Sequence, residues 1–222
     1  MNVLLAGVVG STAYGLAHSG SDVDRLGMFA APTRELHGLR RPKESHVTTR
    51  PDTTYHEAAK AVRLMLACNP TAGELLWLEE YEVRTPLGDE LVGLRRSLLW
   101  ERGVRNAYLG YATQQFGKLR SREGDADGRA RAAKNARHLV RLLAQAEELH
   151  TTGHLTVRLA DPERVRALGE ELADEPERAA GLLARTEDRL RAPGALPAAP
   201  DEDAAEAWLH RVRAAHYTPP ED

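Results

Sequence analysis

The chain has 222 residues and a formal net charge of −3; 42% of its residues are apolar, 28% are charged, and there is one cysteine, Cys68. That length suffices for one large domain or two small ones with a real core, and the composition excludes a disulfide-stapled scaffold and a uniformly basic nucleic-acid coat. No apolar run approaches the ~20 residues that span a bilayer, and Met1 to Leu5 lacks the basic start of a signal peptide, so the expectation is a cytoplasmic protein with no membrane partner.

Residues Val3 to Val9 are nearly all apolar, β-branched or small, the pattern of a buried strand. Gly10-Ser11 follows, then Thr12 to Ala17, enough for a turn or two of helix, and His18 to Ser21 is a turn by composition. Val23 to Ala31 alternates as a second strand, ended by Pro32. Gly38, Pro42 and Pro51 interrupt the next stretch, with a strand expected over His46 to Thr49. A helix is expected from near Thr54: Thr54 and Glu57 have capping-box spacing, and Ala58, Ala61, Val62, Met65 and Leu66 form an apolar stripe. Asn69-Pro70 stops that helix and opens a short buried one through Leu75, Leu76 and Leu78.

From about Leu87 the character changes. Helical patterns occupy 87–98, 101–121, 128–152 and 161–190, with Gly124-Asp125 and Gly153 as punctuation and one weak strand signal over Leu155 to Leu159. Residues 192–200 read as an Ala/Pro/Gly-rich linker, and about 201–215 as a last amphipathic helix. The expected organisation is an α/β part over residues 1–86 and a helical part over 87–222. The histidines are scattered; His150 and His154 are four apart, but Gly153 between them breaks a helix, so no zinc site is read there.

The chemistry concentrates in residues 10–24. Gly10-Ser11 sits where a strand gives way to a helix, a place where backbone N–H groups attract phosphate, with Gly10 allowing close approach and Ser11 adding a hydroxyl. Asp22 and Asp24 are two apart, which on a strand puts both carboxylates on one face. Two like charges at that spacing repel unless a cation sits between them, and hard oxygen ligands beside phosphates suit Mg²⁺ (or Mn²⁺). The combination reads as metal-assisted phosphoryl or nucleotidyl transfer. Gly-Ser or Asp-x-Asp alone would be an ordinary turn; their joint placement carries the reading.

The run Gly10-Ser-Thr-Ala-Tyr-Gly-Leu-Ala, then Ser21-Asp-Val-Asp and Gly27-Met-Phe-Ala-Ala-Pro, resembles the DNA polymerase β nucleotidyltransferase superfamily and, more narrowly, its RlaP-like branch associated with RNA repair. The similarity continues through Lys60, Asn69-Pro70-x-x-x-Glu74, Lys134-x-x-x-His138-x-x-Arg141 and Glu148-Leu-x-x-x-Gly153. In one departure, the family often places an arginine immediately before the glycine after Asp-x-Asp, whereas here Leu26 precedes Gly27 and the arginine is Arg25.

The resemblance implies a nucleotidyltransferase-type mixed β-sheet with flanking helices, followed by a helical C-terminal part. It implies an NTP co-substrate held by Gly10 and Ser11, metals held by Asp22 and Asp24, and a third carboxylate that binds metal and deprotonates the acceptor hydroxyl. Asp52 is the first candidate, with Glu57 and Glu44 as alternatives; Asp52 reads equally as a helix cap. Lys60, Lys134, His138 and Arg141 are candidate phosphate contacts, the last three sharing one helix face at i, i+4, i+7; their bland reading is a solvated basic stripe. Asn69 and Glu74 read as caps and packing, and Tyr14 as core or a base-stacking ring.

The expected reaction moves an NMP from an NTP to a hydroxyl on RNA, a small molecule or a protein, releasing pyrophosphate. Only the stripe Lys118, Arg120, Arg122, Arg129, Arg131, Lys134 and Arg137 offers a nucleic-acid footprint. The rival reading is a catalytically silent nucleotide-binding module that lacks a placed third carboxylate.

Overall fold

The computed structural model describes residues 1–121 and 126–219; Arg122, Gly124 and Asp125 lie outside them. The chain runs β1 (Asn2–Val9), α1 (Gly10–Tyr14), β2 (Asp24–Ala30), α2 (Thr33–Leu36), β3 (Ser45–Thr49), β4 (Asp52–Glu57), α3 (Ala58–Leu66) and α4 (Pro70–Glu74). A 3-10 turn (Leu75–Trp77), β5 (Val83–Arg84) and α5 (Pro86–Leu94) follow. The remaining helices are α6 (Glu101–Arg120), α7 (Ala126–Thr152), α8 (Pro162–Asp174), α9 (Pro176–Arg189) and α10 (Glu202–Ala215). None among the described residues is long and apolar enough to cross a membrane.

The strands form a mixed sheet in the order β3-β4-β2-β1-β5. β1 and β2 are antiparallel, with Val9 opposite Asp24 and Leu5 opposite Met28. β2 and β4 are parallel, from Arg25 beside Thr53 to Phe29 beside Glu57. β3 is antiparallel to β4, and β5 to β1. The buried run of β1 and β2 (Leu4, Leu5, Ala6, Leu26, Met28, Phe29) shows why unbroken apolar stretches become central strands: both faces of the sheet are covered.

By its contacts the chain divides into two units: Met1–Ala67 with Thr71–Leu98 and Pro200–Asp222, and Cys68–Pro70 with Leu99–Ala199. In the first, α3 lays Ala58, Ala61, Val62 and Met65 into the core, and α10 adds Ala205, Trp208 and Val212. The Trp208 indole N–H donates to the Leu87 carbonyl at 2.8 Å, which satisfies the one polar atom of a fully buried ring. In the second, α6 to α9 bury a Leu/Ala core of Leu119, Ala136, Leu139, Leu142, Leu149 and Leu172.

Three local expectations need correcting, and one short strand has no sequence signal. The helix expected from Thr54 starts at Ala58, because Asp52 to Glu57 is strand β4. Its residues are mostly polar, so hydrophobic periodicity is silent there, while Thr53, Thr54 and Tyr55 suit a pleated surface. Glu57 is itself the cap, its carboxylate accepting the Ala59 N–H at 2.9 Å. The pattern at 161–190 is two helices split at Glu175-Pro176, where proline lacks an N–H and restrains its predecessor. β5 has only two residues, and pairing with Leu5 and Ala6 defines it rather than any local pattern. No strand forms over residues 155–159.

Candidate active site

The turn between β1 and α1 is built around Gly10, whose φ of +69° lies in the left-handed region that favours glycine. A Cβ at Gly10 would overlap Asp24 Oδ2 and lie 3.2 Å from Asp24 Cγ. The register explains the closeness: Val9, just before the turn, faces Asp24, the first residue of β2. The chain thus sets a carboxylate directly against a glycine that presents only backbone. Ser11 is half-buried beside it, its carbonyl accepting the Leu16 N–H at 2.8 Å.

Asp22 is exposed and precedes the strand, since β2 begins at Asp24 rather than at Val23. Strand alternation therefore does not fix its side; the preceding turn does. That turn is self-braced: the His18 N–H donates to Ser21 Oγ at 2.9 Å, the Ser21 N–H to the His18 carbonyl at 2.9 Å, and the Gly20 N–H to His18 Nδ1 at 3.2 Å. Sequence reasoning gave His18 and Ser21 no role beyond turn composition.

Asp52 opens β4 and is exposed. It lies one residue before Thr53, as Asp24 lies one before Arg25, and Arg25 and Thr53 are partners on parallel strands. Asp24 and Asp52 therefore head neighbouring strands at one end of the sheet and on one face, on strands spaced about 4.8 Å apart. The reading of Asp52 as a helix cap lapses, because no helix starts there.

Glu57 closes β4 at the opposite end. It is buried and takes Arg213 Nη1 at 2.5 Å and Nη2 at 3.0 Å, besides the Ala59 N–H. Burial alone would raise its pKa, but the Arg213 guanidinium and the backbone donors outweigh that and hold the carboxyl below its ordinary range. Glu44 forms an exposed pair with Arg63 at 2.6 Å. Lys60 Nζ donates to Ser45 Oγ at 2.7 Å, and Ser45 Oγ shares a 2.9 Å hydrogen bond with His56 Nδ1. Burial, then the Lys60 charge, lowers the His56 pKa. His56 lies four positions along β4 from Asp52, about 13 Å, so Lys60 is anchored toward the Glu57 end of the sheet. Arg25 Nε meets both carboxylate oxygens of Glu82, at 2.9 and 3.0 Å.

Tyr14 donates its hydroxyl proton to Glu74 at 2.5 Å. In the helical unit, Asn69 Nδ2 donates to the Tyr111 hydroxyl at 2.7 Å. There α7 carries Lys134, His138 and Arg141. Burial first, then the charges of Arg141, Lys118 and Lys134, push the His138 pKa down to about 4. Arg141 is 4% exposed and donates to Gln145 Oε1 at 2.7 Å. Most neighbouring arginines are matched by acids: Arg129 with Glu170 and Asp174, Arg137 with Glu170, Arg178 with Glu171, Arg189 with Glu147. Arg141, Lys118 and Lys134 all lie close enough to His138 to act on its ring. A separate polar cavity of about 500 Å³ in this unit, lined by Arg105, Asn106, Thr113, Glu187 and Arg191, includes none of the residues singled out by sequence.

No three His, Cys, Asp or Glu side chains among the described residues gather closely enough to hold a metal by themselves. The chemistry of the donor set still fits a hard divalent cation, which takes one or two carboxylates and completes its shell with water and substrate phosphates. Gly10, having no side chain, lets the Asp24 carboxylate lie directly against the backbone of the turn.

A model of the RNA repair pathway DNA polymerase beta family, RlaP, matches residues 1–193. Among solved structures, a nucleotidyltransferase-like protein from Exiguobacterium sibiricum 255-15 is similar at 11% identity and a TM-score of 0.33, over 96% of this chain and 74% of that one. No curated protein matches the chain.

Proposed function

Because this chain belongs to the RNA repair pathway DNA polymerase beta family, we propose that it transfers a nucleoside monophosphate from an NTP to an acceptor hydroxyl, with pyrophosphate leaving. The observation that carries the reading is the Asp24 carboxylate set against Gly10 at the strand-to-helix turn. Gly10 admits the triphosphate to the backbone, and the Ser11 hydroxyl donates to a phosphate oxygen. Asp22 and Asp24 hold Mg²⁺ (or Mn²⁺); when bound, the metal offsets the charge that gathers on the reacting phosphoryl oxygens. Asp52 serves as the third carboxylate and takes the acceptor's proton. The acceptor oxygen bonds to the α-phosphorus as the bond to pyrophosphate breaks.

We assign the transfer to the α/β part, residues 1–86, and phosphate capture to Lys134, His138 and Arg141 of the helical unit. The nearness of Arg141, Lys118 and Lys134 to His138 supports that second assignment. Lys60, tied to Ser45, contributes to phosphate binding only if that hydrogen bond opens. An RNA end is the acceptor class that the family description favours; hydroxylated small molecules and protein side chains are the other arms of the assay.

The test is transfer of label from α-phosphorus-labelled NTP to RNA, aminoglycoside and protein acceptors in Mg²⁺. Wild type labels one of them and Asp22→Ala/Asp24→Ala labels none. Undiminished transfer in that double variant sinks the site assignment. NTP binding without transfer to any acceptor favours the silent nucleotide-binding module.

A further inference from the structure

Helix α1 carries Gly10 and Ser11 at its start and Tyr14 at its end. Five residues are far too few for a helix to hold itself in water, and no side chain caps its N-terminus. Its own closing bonds are local: the Gly15 N–H reaches the Thr12 carbonyl at 3.2 Å and the Leu16 N–H the Ser11 carbonyl at 2.8 Å. These shape the turn itself.

The Tyr14 hydroxyl anchors it. It donates across 60 positions of sequence to Glu74 at 2.5 Å, the short distance of an O–H bonded to a carboxylate. Glu74 is 1% exposed, and a carboxylate removed from water demands donors, so the phenol is drawn to one place. The post it is drawn to is rigid. Glu74 leads directly into Leu75, Leu76 and Trp77, all buried. Arg95 Nη1 donates to the Leu76 carbonyl at 3.3 Å, and its guanidinium lies 4.4 Å from the centre of the Trp77 ring. Ser11 and Tyr14 are three residues apart, about 4.5 Å of helix rise, so a shift of the Tyr14 end of α1 is felt at the Gly10-Ser11 turn.

We propose that Tyr14 and Glu74 are positioning residues, whose hydrogen bond sets the Gly10-Ser11 turn in the orientation that receives a nucleoside triphosphate. The inference rests on the nucleotidyltransferase reading. It gives Tyr14 a task apart from base stacking and Glu74 one apart from capping.

The experiment measures the Mg²⁺-dependent Kd for NTP by equilibrium dialysis, kcat and KM for label transfer, and melting temperature. The set is wild type, Tyr14→Phe, Glu74→Gln, and the pair Tyr14→Phe/Glu74→Leu. Tyr14→Phe raises Kd and KM about ten- to hundredfold, the usual effect of losing a partner that orients a ligand-binding group. Glu74→Gln keeps an acceptor for the phenol and stays close to wild type. The Phe/Leu pair removes the phenol and the carboxylate together, so that neither is left facing the other's vacancy, and its KM stays raised while its melting temperature reports any loss of folding. A wild-type KM in the Phe/Leu pair, or a Tyr14→Phe enzyme with fewer active molecules but unchanged Kd and KM, overturns the proposal. Wild-type protein that binds no NTP overturns the nucleotidyltransferase reading and this inference with it; wild type that binds NTP no better than Tyr14→Phe overturns the inference alone.

Discussion

Replacing Gly10 by alanine tests the central geometry most directly. Two separate effects act at this position. Holding alanine at φ +69° costs about 1–2 kcal/mol, the ordinary penalty of the left-handed region. The new methyl also meets Asp24, with Cγ at 3.2 Å and Cβ at 3.4 Å from the added carbon and Oδ2 nearer still. Comfortable carbon contacts begin at about 3.5 Å, so the carboxylate must retreat by about 1 Å, and crowding of this kind costs about 1–3 kcal/mol. The larger effect is on rate, because displacing an aligned group by about 1 Å costs on the order of 100-fold. Gly10→Ala is therefore expected to unfold at lower urea and to transfer label about 100-fold more slowly. In an Asp24→Ala background the crowding disappears and only the backbone cost remains, so the stability loss from Gly10→Ala shrinks by about half. Urea titrations of the four proteins and label transfer by the two that retain Asp24 read both effects. Equal stability losses in the two backgrounds, or wild-type transfer by Gly10→Ala, would refute the reasoning.

Arg213→Ala strands a buried Glu57 carboxylate and should destabilise the first unit by about 3–5 kcal/mol, read by urea titration. Because the folded-state pKa of Glu57 is lowered, its contribution is present above the ordinary glutamate pKa and lost as pH falls through the folded value; Arg213→Ala should flatten that acid limb, and an unchanged pH profile counts against it. NTP at 100 times its Kd should stabilise the protein by about 2.7 kcal/mol, and only with Mg²⁺; an equal shift of melting temperature in EDTA contradicts metal-bridged binding. Lys134→Gln should raise the His138 pKa slightly above about 4, since burial, Arg141 and Lys118 still hold it down, followed by NMR titration of the ring. A ring that titrates unchanged would show that Lys134 does not act on it.

The parts of the fold legible in the sequence are those where one face or both are apolar. β1 and β2 announce themselves through Val3 to Val9 and Leu26 to Ala30, and α3 through its Ala/Val/Met stripe. β4 is hidden because its partners rather than its side chains make it a strand, and Thr54 with Glu57 imitates a capping box. At the site, Gly10 and Asp24 are legible as a motif, but their contact is a matter of register. The anchoring of Lys60 on Ser45 and of Glu57 on Arg213 is invisible to pattern, since each joins residues that no local spacing relates.

The first unit is interrupted in sequence: it leaves off at Leu98 and resumes at Pro200. Its own core is thus unfinished until residues 200 onward have been made. Leu87 waits 121 residues for the Trp208 indole, and Glu57 waits 156 for Arg213. Contacts so distant in sequence form late and slow folding, because the intervening chain must be closed into a loop before they return any stability. Until α10 emerges from the ribosome, a carboxylate meant for burial and the apolar bed of a tryptophan stand open to water. A fragment ending at Ala199 would be held permanently at that stage.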